Sequence, residues 1–227
     1  MTARQWTICG LQVCRFGDEK GVPAIYVHAG HEEAAALAQC GRTVIAVENA
    51  DWNRDLTPWP AKAVFRGRPD FSGGAGIHLR RLEDEILPAV EQDLQPSERW
   101  IIGYSLAGMF AVYAAMETAL FSRTASVSGS LWYQGFAEYV EASRSAPQAA
   151  YFSVGDRERL GRNPAFRSIE DCTCRVETAL RSRGARTAFE RNPGGHFDHP
   201  VERMERAIRW LMQRGDEGRP AVWTKSV

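Results

Sequence analysis

The sequence predicts an α/β protein whose central sheet is mostly parallel and carries helices on both faces. Two observations lead to this class. Short apolar runs of strand length alternate with longer helix-forming segments, an order typical of parallel strands joined by crossover helices. The apolar run at residues 100–102 also enters a tight turn with a serine at its tip and continues as an Ala-rich, helix-forming segment. With 227 residues, the chain is long enough for one such domain and too short for two ordinary ones.

Composition limits the partners and the location that we expect. The formal net charge is zero, which argues against nucleic acid and charged membrane surfaces as partners. The N-terminus lacks an apolar signal segment, and no apolar run is long enough to cross a bilayer. The five cysteines form no disulfide framework, and the pair Cys172 and Cys174 has no second cluster at metal-ligand spacing. We therefore expect a cytoplasmic protein with free thiols and with neither metal nor cofactor, and we leave its oligomeric state open.

The first quarter of the chain supplies three predicted strands. Its predicted elements are a strand at 6–16, a turn at 17–21, a strand at 24–28, a helix at 32–40 and a strand at 43–48. The order strand, helix, strand at this spacing favours parallel pairing through crossover connections.

An irregular stretch follows at residues 49–74 and is too rich in Trp, Pro and Asx residues for a regular element. It comes after the carboxyl end of a strand, where open α/β sheets bind ligands. Trp52 and Trp59 are therefore candidates for the walls of a pocket, the alternative being that they only pack the loop onto the body. Residues 77–94 form the clearest predicted helix, with apolar residues at helical spacing and the charged residues 83–85 on a solvated face.

The second half of the chain continues the alternation. Its predicted elements after the helix that ends near residue 116 are a strand at 124–128, a loop at 129–133, a short helix at 135–144, a strand at 149–154, a helix at 168–183, a strand at 187–191 and a helix at 201–214. From Arg203 onward the arginines alternate with apolar residues, which predicts a solvated helix face. We expect one domain over residues 1–227, with a tail at 215–227 that is either loose or packed back onto the body.

The turn at residues 103–108 has the layout of a nucleophile elbow, in which a buried strand, a sharp turn with a serine and a helix follow one another closely. Small residues are needed there because strand and helix nearly touch. Gly103 and Ala107 stand two residues either side of Ser105, with Ala107 in the place where glycine is usual, and Gly108 follows. The alternative interpretation is a Ser/Gly turn in an ordinary doubly wound sheet.

Three loops that each follow a predicted strand carry a serine, an acid and a histidine in that order, which is the order of α/β-hydrolases. Ser105 is the predicted nucleophile, and a serine hydroxyl needs a base to take its proton. His196, after two glycines in the loop before the last helix, is the predicted base. The other histidines are weaker candidates: His28 and His31 for the mouth of the site, His78 for a helix and His199 for a helix start.

Two neighbouring carboxylates are candidates for the acid that orients His196. Asp156 and Glu158 both follow the strand that ends at Val154. Asp156 is nearer the strand and has the commoner residue type, whereas Glu158 stands three residues after Gly155, a spacing often found in α/β-hydrolases. We favour Glu158 and keep Asp156 as the alternative. Whichever of the two does not orient His196 is expected to bind an arginine or to cap a turn.

The same loops predict the oxyanion hole and the substrate pocket. An oxyanion hole needs two backbone donors. The N–H of Leu106, after the nucleophile, is the predicted first donor, and the loop around Gly30 is the predicted source of the second. Trp52 and Tyr104 are predicted to contact the substrate.

Four segments of the sequence carry a resemblance to a known family: Gly-Tyr-Ser-Leu-Ala-Gly-Met-Phe-Ala at 103–111, Ser-Val-Ser-Gly-Ser-Leu-Trp-Tyr at 126–133, Ser-Val-Gly-Asp-Arg-Glu at 153–158 and Gly-Gly-His-Phe at 194–197. They resemble the putative esterase family, which groups esterase D, the enterochelin esterases and predicted α/β-hydrolases. The resemblance runs from about residue 24 to residue 211. It implies an α/β-hydrolase fold and serine-dependent hydrolysis of carboxylic esters, including siderophore trilactones. It also implies Ser105 as nucleophile, His196 as base, Glu158 through a Gly-x-x-Glu motif, and Trp132 beside the substrate.

These observations predict a serine hydrolase that cleaves the carboxylic ester of a small molecule through an acyl-enzyme on Ser105. An acyltransferase or a thioesterase with the same triad is one alternative. A binding protein that kept the fold without catalysis is another.

Overall fold

The computed structural model of the chain describes residues 3–64, 66–161 and 163–213. The predicted tail at 215–227 lies outside the described residues. Ten strands occur in the described part: β1 (Ala3–Ile8), β2 (Leu11–Phe16), β3 (Ala24–Val27), β4 (Thr43–Val47), β5 (Pro60–Ala61), β6 (Phe71–Ser72), β7 (Arg99–Tyr104), β8 (Arg123–Val127), β9 (Ala149–Gly155) and β10 (Arg186–Asn192).

Eight of these strands form one sheet, in the order β1-β2-β4-β3-β7-β8-β9-β10. From β4 to β10 the neighbours run parallel, whereas β1 and β2 are antiparallel to each other and β2 is antiparallel to β4. The short strands β5 and β6 pair with each other apart from this sheet. All residues of β3, β4 and β9 are buried, as expected for parallel strands covered on both faces. The predicted mostly parallel sheet is confirmed.

Helices cover both faces of the sheet. The described part of the chain contains α1 (His31–Leu37), α2 (Trp52–Asp55), α3 (Ala75–Arg81), α4 (Leu87–Val90), α5 (Leu106–Glu117), α6 (Phe136–Ala142), α7 (Pro164–Arg167), α8 (Ile169–Ser182) and α9 (Pro200–Met212). Helices α1 and α9 pack on one face against a core that includes Ile25, Val27 and Ile102. Helices α3 to α6 and α8 pack on the other face, around Phe110 and Phe152.

The predicted single strand at residues 6–16 was wrong, because the chain folds there into the hairpin β1–β2. Cys9 and Gly10 have φ angles of 51° and 77°, and two successive left-handed residues make a tight hairpin turn. Apolar residues continue through this turn, so the hydrophobic pattern alone does not reveal it.

The predicted continuous helix at 77–94 was also wrong in its detail. The segment consists of α3, a π-helical turn at Leu82–Ile86 and α4. Pro88 lies in the first turn of α4. A proline has no N–H to donate to the carbonyl four residues earlier, and its ring displaces that carbonyl. The wider π turn before Pro88 accommodates both effects and keeps the apolar face on the sheet.

The irregular stretch at 49–74 holds three short elements, α2, β5 and β6, and the remaining predicted elements occur close to their predicted bounds. The five cysteines are free thiols. Within the residues that the structure describes, no helix combines the length and the apolar character needed to cross a membrane.

Candidate active site

Ser105 lies on the sharp turn between β7 and α5, at the carboxyl edge of the sheet. Its backbone is strained, with φ 56° and ψ −124°, a conformation that non-glycine residues rarely adopt. The strand and helix approach so closely that a Cβ atom on Gly103 would lie 2.2 Å from the carbonyl oxygen of Ala107. Gly103 is therefore required for the close approach, whereas Ala107 carries its methyl group without conflict and is buried.

His196 reaches Ser105 from the loop between β10 and α9. Its Nε2 atom lies 3.1 Å from Oγ of Ser105, and its Nδ1 atom lies 2.7 Å from Oε2 of Glu158. The imidazole is 12% exposed and stacks on the ring of Phe166, with centroids 5.7 Å apart. The three side chains thus form one continuous hydrogen-bonded series from hydroxyl to carboxylate.

Glu158 is held in place on both of its oxygens. Oε1 accepts hydrogen bonds from Oγ of Ser128 at 2.7 Å and from the N–H of Gly155 at 2.6 Å, while Oε2 faces His196. Burial raises the pKa of Glu158, but the hydrogen bond with His196 and those from the two other donors outweigh it, so that the pKa lies below the ordinary value. The carboxylate is therefore ionised at neutral pH, as an orienting group for an imidazole must be.

Asp156 has a different place. Its Oδ1 atom accepts a hydrogen bond from the N–H of Gly194 at 2.9 Å, on the loop that carries His196. The structure therefore brings Glu158, and not Asp156, to the imidazole. Asp156 instead ties the loop after β9 to the loop after β10.

Arg203 was predicted to lie on a solvated helix face, and that prediction was wrong. Its side chain is fully buried, and its Nη2 atom donates to the carbonyls of Pro193 and Gly195 at 2.9 and 3.1 Å. Its Nη1 atom donates to Oγ of Ser128 at 3.1 Å and lies 3.6 Å from Oε1 of Glu158. The buried guanidinium is tolerated because both of its Nη atoms donate to acceptors and a carboxylate compensates its charge, whereas its Nε atom is buried with no hydrogen-bond partner among the described residues.

Tyr104 also holds the histidine loop, because its hydroxyl donates to the carbonyl of His196. It was predicted to contact the substrate, and it does line a cavity beside Ser105. Sequence reasoning missed Arg203 and this second role of Tyr104. The available signal was Arg203 on the apolar side of α9, at helical spacing from Ala207 and Leu211.

The two predicted oxyanion donors differ in availability. Leu106 is the first residue of α5, where N–H groups have no acceptor within the helix. The N–H of Gly30 instead donates to Oε2 of Glu33 at 3.2 Å, as part of the N-terminal cap of α1. In this loop, His28 and Ala29 are the residues that line the cavity beside Ser105.

Two cavities meet at Ser105 and His196, with Trp52 and Phe197 lining both. The smaller cavity, of about 250 Å³, is bounded by His28, Ala29 and Tyr104, among others. The larger, of about 420 Å³, is mostly apolar, and its lining includes Phe71, Trp132 and Phe166. Of the predicted substrate contacts, Trp52 and Trp132 thus line the larger cavity and Trp52 and Tyr104 the smaller one. Trp59 instead packs its ring against α6 and donates to the carbonyl of Gln134.

His28 and His78 form a buried pair next to the smaller cavity. Their Nε2 atoms are 2.7 Å apart, and both rings contact Phe110. Burial lowers the pKa of His78 to about 4 and that of His28 well below its ordinary value, so both rings are neutral at neutral pH. His199 is 71% exposed at the start of α9 and takes no part in the site.

The parallel sheet, the strained serine turn and the loops at the carboxyl ends of β9 and β10 define an α/β-hydrolase fold. Residues 16–200 match the "Putative esterase" family. The chain therefore belongs to that family, and the protein is a carboxylic ester hydrolase. Over 218 residues it is 27% identical to the uncharacterized protein YbbA of Bacillus subtilis, covering 86% of this chain and 87% of that protein.

Solved structures share the fold. The siderophore hydrolase EstA of Aspergillus nidulans is 19% identical, with a TM-score of 0.74 over 92% of this chain and 93% of that one. The BES protein of Bacillus cereus is 17% identical, with a TM-score of 0.69 over 93% and 96%. The enterobactin esterase FES of Shigella flexneri is 15% identical, with a TM-score of 0.65, and the match covers 93% of this chain and 60% of that one.

Proposed function

We propose that the protein hydrolyses its ester through an acyl-enzyme on Ser105. The observation that carries the proposal is the series of contacts from Oγ of Ser105 to Nε2 of His196 at 3.1 Å and from its Nδ1 to Glu158 at 2.7 Å. A carboxylate can only accept, so the proton of neutral His196 lies on Nδ1 and its Nε2 lone pair faces the serine hydroxyl.

In the first half-reaction, Oγ of Ser105 attacks the ester carbonyl while Nε2 of His196 takes the hydroxyl proton. The N–H of Leu106 donates to the tetrahedral oxyanion, together with a second donor from the loop at residues 28–30. Glu158 stabilises the imidazolium that forms. His196 then gives its proton to the leaving alcohol, and a water molecule repeats the sequence to release the acid.

The cavities support an ester with one bulky apolar group. The larger cavity, with its aromatic lining, suits that group, and the smaller one suits the other half of the ester. A siderophore ester is a second candidate, since solved structures with this fold include siderophore hydrolases. Hydrolysis of a panel of acyl and alcohol chain lengths that includes one trilactone separates these substrate classes.

A fluorophosphonate probe tests the nucleophile. We expect the wild-type protein to be labelled at Ser105 and the Ser105→Ala variant to remain unlabelled, with a loss of at least about 10⁴-fold in kcat. Ser130→Ala is the matched control, because Oγ of Ser130 lies only 3.4 Å from Oγ of Ser105. Labelling that persists in Ser105→Ala and disappears in Ser130→Ala would assign the nucleophile to Ser130, and no labelling of the wild type would favour a binding protein.

An alcohol acceptor tests hydrolysis against acyl transfer. If water is the acceptor, adding a small alcohol during turnover leaves the free acid as the main product. A new ester as the main product would make the protein an acyltransferase with the same triad.

A further inference from the structure

Three side chains with metal-binding atoms converge on the α1 face of the sheet, outside the two cavities. Sγ of Cys14, a ring nitrogen of His31 and a carboxylate oxygen of Glu48 all lie within 4.8 Å of one another. Cys14 comes from β2, Glu48 follows β4, and His31 is the first residue of α1. The ester chemistry described above uses none of the three.

Glu48 is close to both other groups. Its Oε1 atom lies 3.1 Å from Nδ1 of His31, and a carboxylate oxygen lies within 4.8 Å of Sγ of Cys14. A cation placed among these atoms would be bound by sulfur, nitrogen and oxygen at once.

The chemistry of the three atoms selects the cation. A thiolate, an imidazole and a carboxylate together suit a borderline divalent ion such as Zn²⁺, which takes four ligands in a tetrahedron. Hard ions such as Ca²⁺ and Mg²⁺ prefer oxygen ligands alone. We propose that Cys14, His31 and Glu48 form a binding site for one zinc-class divalent cation, with water or the side chain of Gln5 in the fourth position.

The fold keeps the ligands in place. Gln5 is the cross-strand partner of Cys14 in the β1–β2 pair, so both side chains lie on the same face. Glu48 is fixed to β2 by its N–H, which donates to the carbonyl of Gln12 at 2.9 Å. The ring of Phe16 packs edge-on against the imidazole of His31, with centroids 5.0 Å apart. Ligands on such rigid elements need small side-chain movements to close around an ion.

The site is also open to solvent on one side. The side chain of His31 is 45% exposed and that of Glu48 is 22% exposed, whereas Cys14 is buried beneath them. An ion therefore enters past His31. On binding, the thiol of Cys14 releases its proton to solvent and binds as the thiolate, and His31 binds through the Nδ1 lone pair with its proton on Nε2.

Cobalt titration tests the proposal, because Co²⁺ occupies zinc sites and a thiolate ligand gives a charge-transfer band in the near ultraviolet. The proteins to compare are the wild type, Cys14→Ser, His31→Ala and, as the matched control, Cys40→Ala. Cys40 is another free, part-buried thiol packed against the same core. Equilibrium dialysis with Zn²⁺ gives the stoichiometry and affinity of the same proteins.

We expect the wild type and Cys40→Ala to bind one ion each and to show the band. Cys14→Ser should lose the band, and His31→Ala should bind at least about 100-fold more weakly, since even an outer-shell partner is worth 10–100-fold in affinity. Absence of binding by the wild type, or equal binding by His31→Ala, would refute the site, as would a band that survives in Cys14→Ser. Ser105→Ala should bind the ion like the wild type, so that this result is independent of the proposed hydrolysis.

Discussion

Glu158→Gln tests the proposed role of the acid with the smallest possible change in shape. In the native site Glu158 accepts three hydrogen bonds, two on Oε1 from Ser128 and the N–H of Gly155 and one on Oε2 from Nδ1 of His196. A glutamine has one acceptor oxygen and one NH₂ group, which only donates. Either the donors that face Oε1 or the imidazole that faces Oε2 must therefore meet the NH₂ group of the glutamine in place of an acceptor.

The geometry decides which side that is. The N–H of Gly155 is fixed in the backbone and lies 2.6 Å from Oε1, so an NH₂ group there would meet a donor that cannot turn. His196 can change its tautomer at smaller cost. We therefore expect the glutamine oxygen to face Gly155 and its NH₂ group to face His196, which moves the imidazole proton to Nε2. In that tautomer Nε2 has no lone pair with which to take the proton of Ser105.

The expected loss in kcat/KM is about 10⁴-fold, the size typical of a triad whose imidazole is held in the wrong tautomer, or about 5.5 kcal/mol in transition-state stabilisation. Initial rates on a chromogenic ester measure this loss, and circular dichroism confirms that the variant is folded.

Asp156→Asn is the matched control. An asparagine keeps the oxygen that accepts from the N–H of Gly194, so kcat/KM should change by less than about threefold. A larger loss in Asp156→Asn than in Glu158→Gln would move the orienting acid to Asp156. Similar small losses in both variants would refute a role for either carboxylate.

Three further predictions concern packing, pH and the pocket. Gly103→Ala should lower the free energy of unfolding, measured by urea titration, by about 3 kcal/mol or more, because its Cβ atom would lie 2.2 Å from the carbonyl oxygen of Ala107. Gly76→Ala in α3 is the control: the nearest atom to its Cβ lies at 3.4 Å, so this variant should be neutral or stabilising in the same titration. As pH falls from about 6.5 toward 4, the unfolded chain gains a proton that folded His78, with its pKa of about 4, does not, so His78 by itself should lower the free energy of unfolding by about 3 kcal/mol. Stability should therefore fall less steeply with pH in His78→Gln than in the wild type, and an unchanged slope would contradict this. Because Trp132 lines the larger, mostly apolar cavity, Trp132→Ala should raise KM about tenfold for esters with a bulky apolar group and change KM little for an acetate ester. Unchanged kinetics together with a lowered free energy of unfolding would make Trp132 a packing residue.

Most of the sheet could be predicted because parallel strands buried on both faces must be continuously apolar. Residues 24–27 and 44–47 meet this condition at every position and are wholly buried. The hairpin at Cys9 and Gly10 could not be found in this way, since its turn depends on two left-handed backbone conformations and not on polarity. The π turn before Pro88 had a visible signal in the proline itself, but helical periodicity continued past it.

The order of the site residues could be predicted, whereas the contacts between them could not. Ser105, Glu158 and His196 each follow a strand, and parallel strands bring their carboxyl ends to one edge of the sheet. Sequence spacing left Glu158 and Asp156 nearly equivalent. Their difference arises from the direction of each side chain after β9, where Asp156 turns to the backbone of Gly194 and Glu158 turns inward to the imidazole.

Arg203 shows why such contacts are hidden in a sequence. The loop that carries His196 has no regular structure, so the hydrogen bonds of a helix or strand do not satisfy its carbonyls. Arg203 supplies hydrogen bonds to two of these carbonyls, those of Pro193 and Gly195, from a position on α9 that is seven residues past His196. The same guanidinium lies 3.6 Å from Glu158, so its charge favours the ionised carboxylate that orients the imidazole. One buried arginine thus links the position of the predicted base to the charge of the predicted acid. Its sequence neighbours reveal only an arginine in an amphipathic helix.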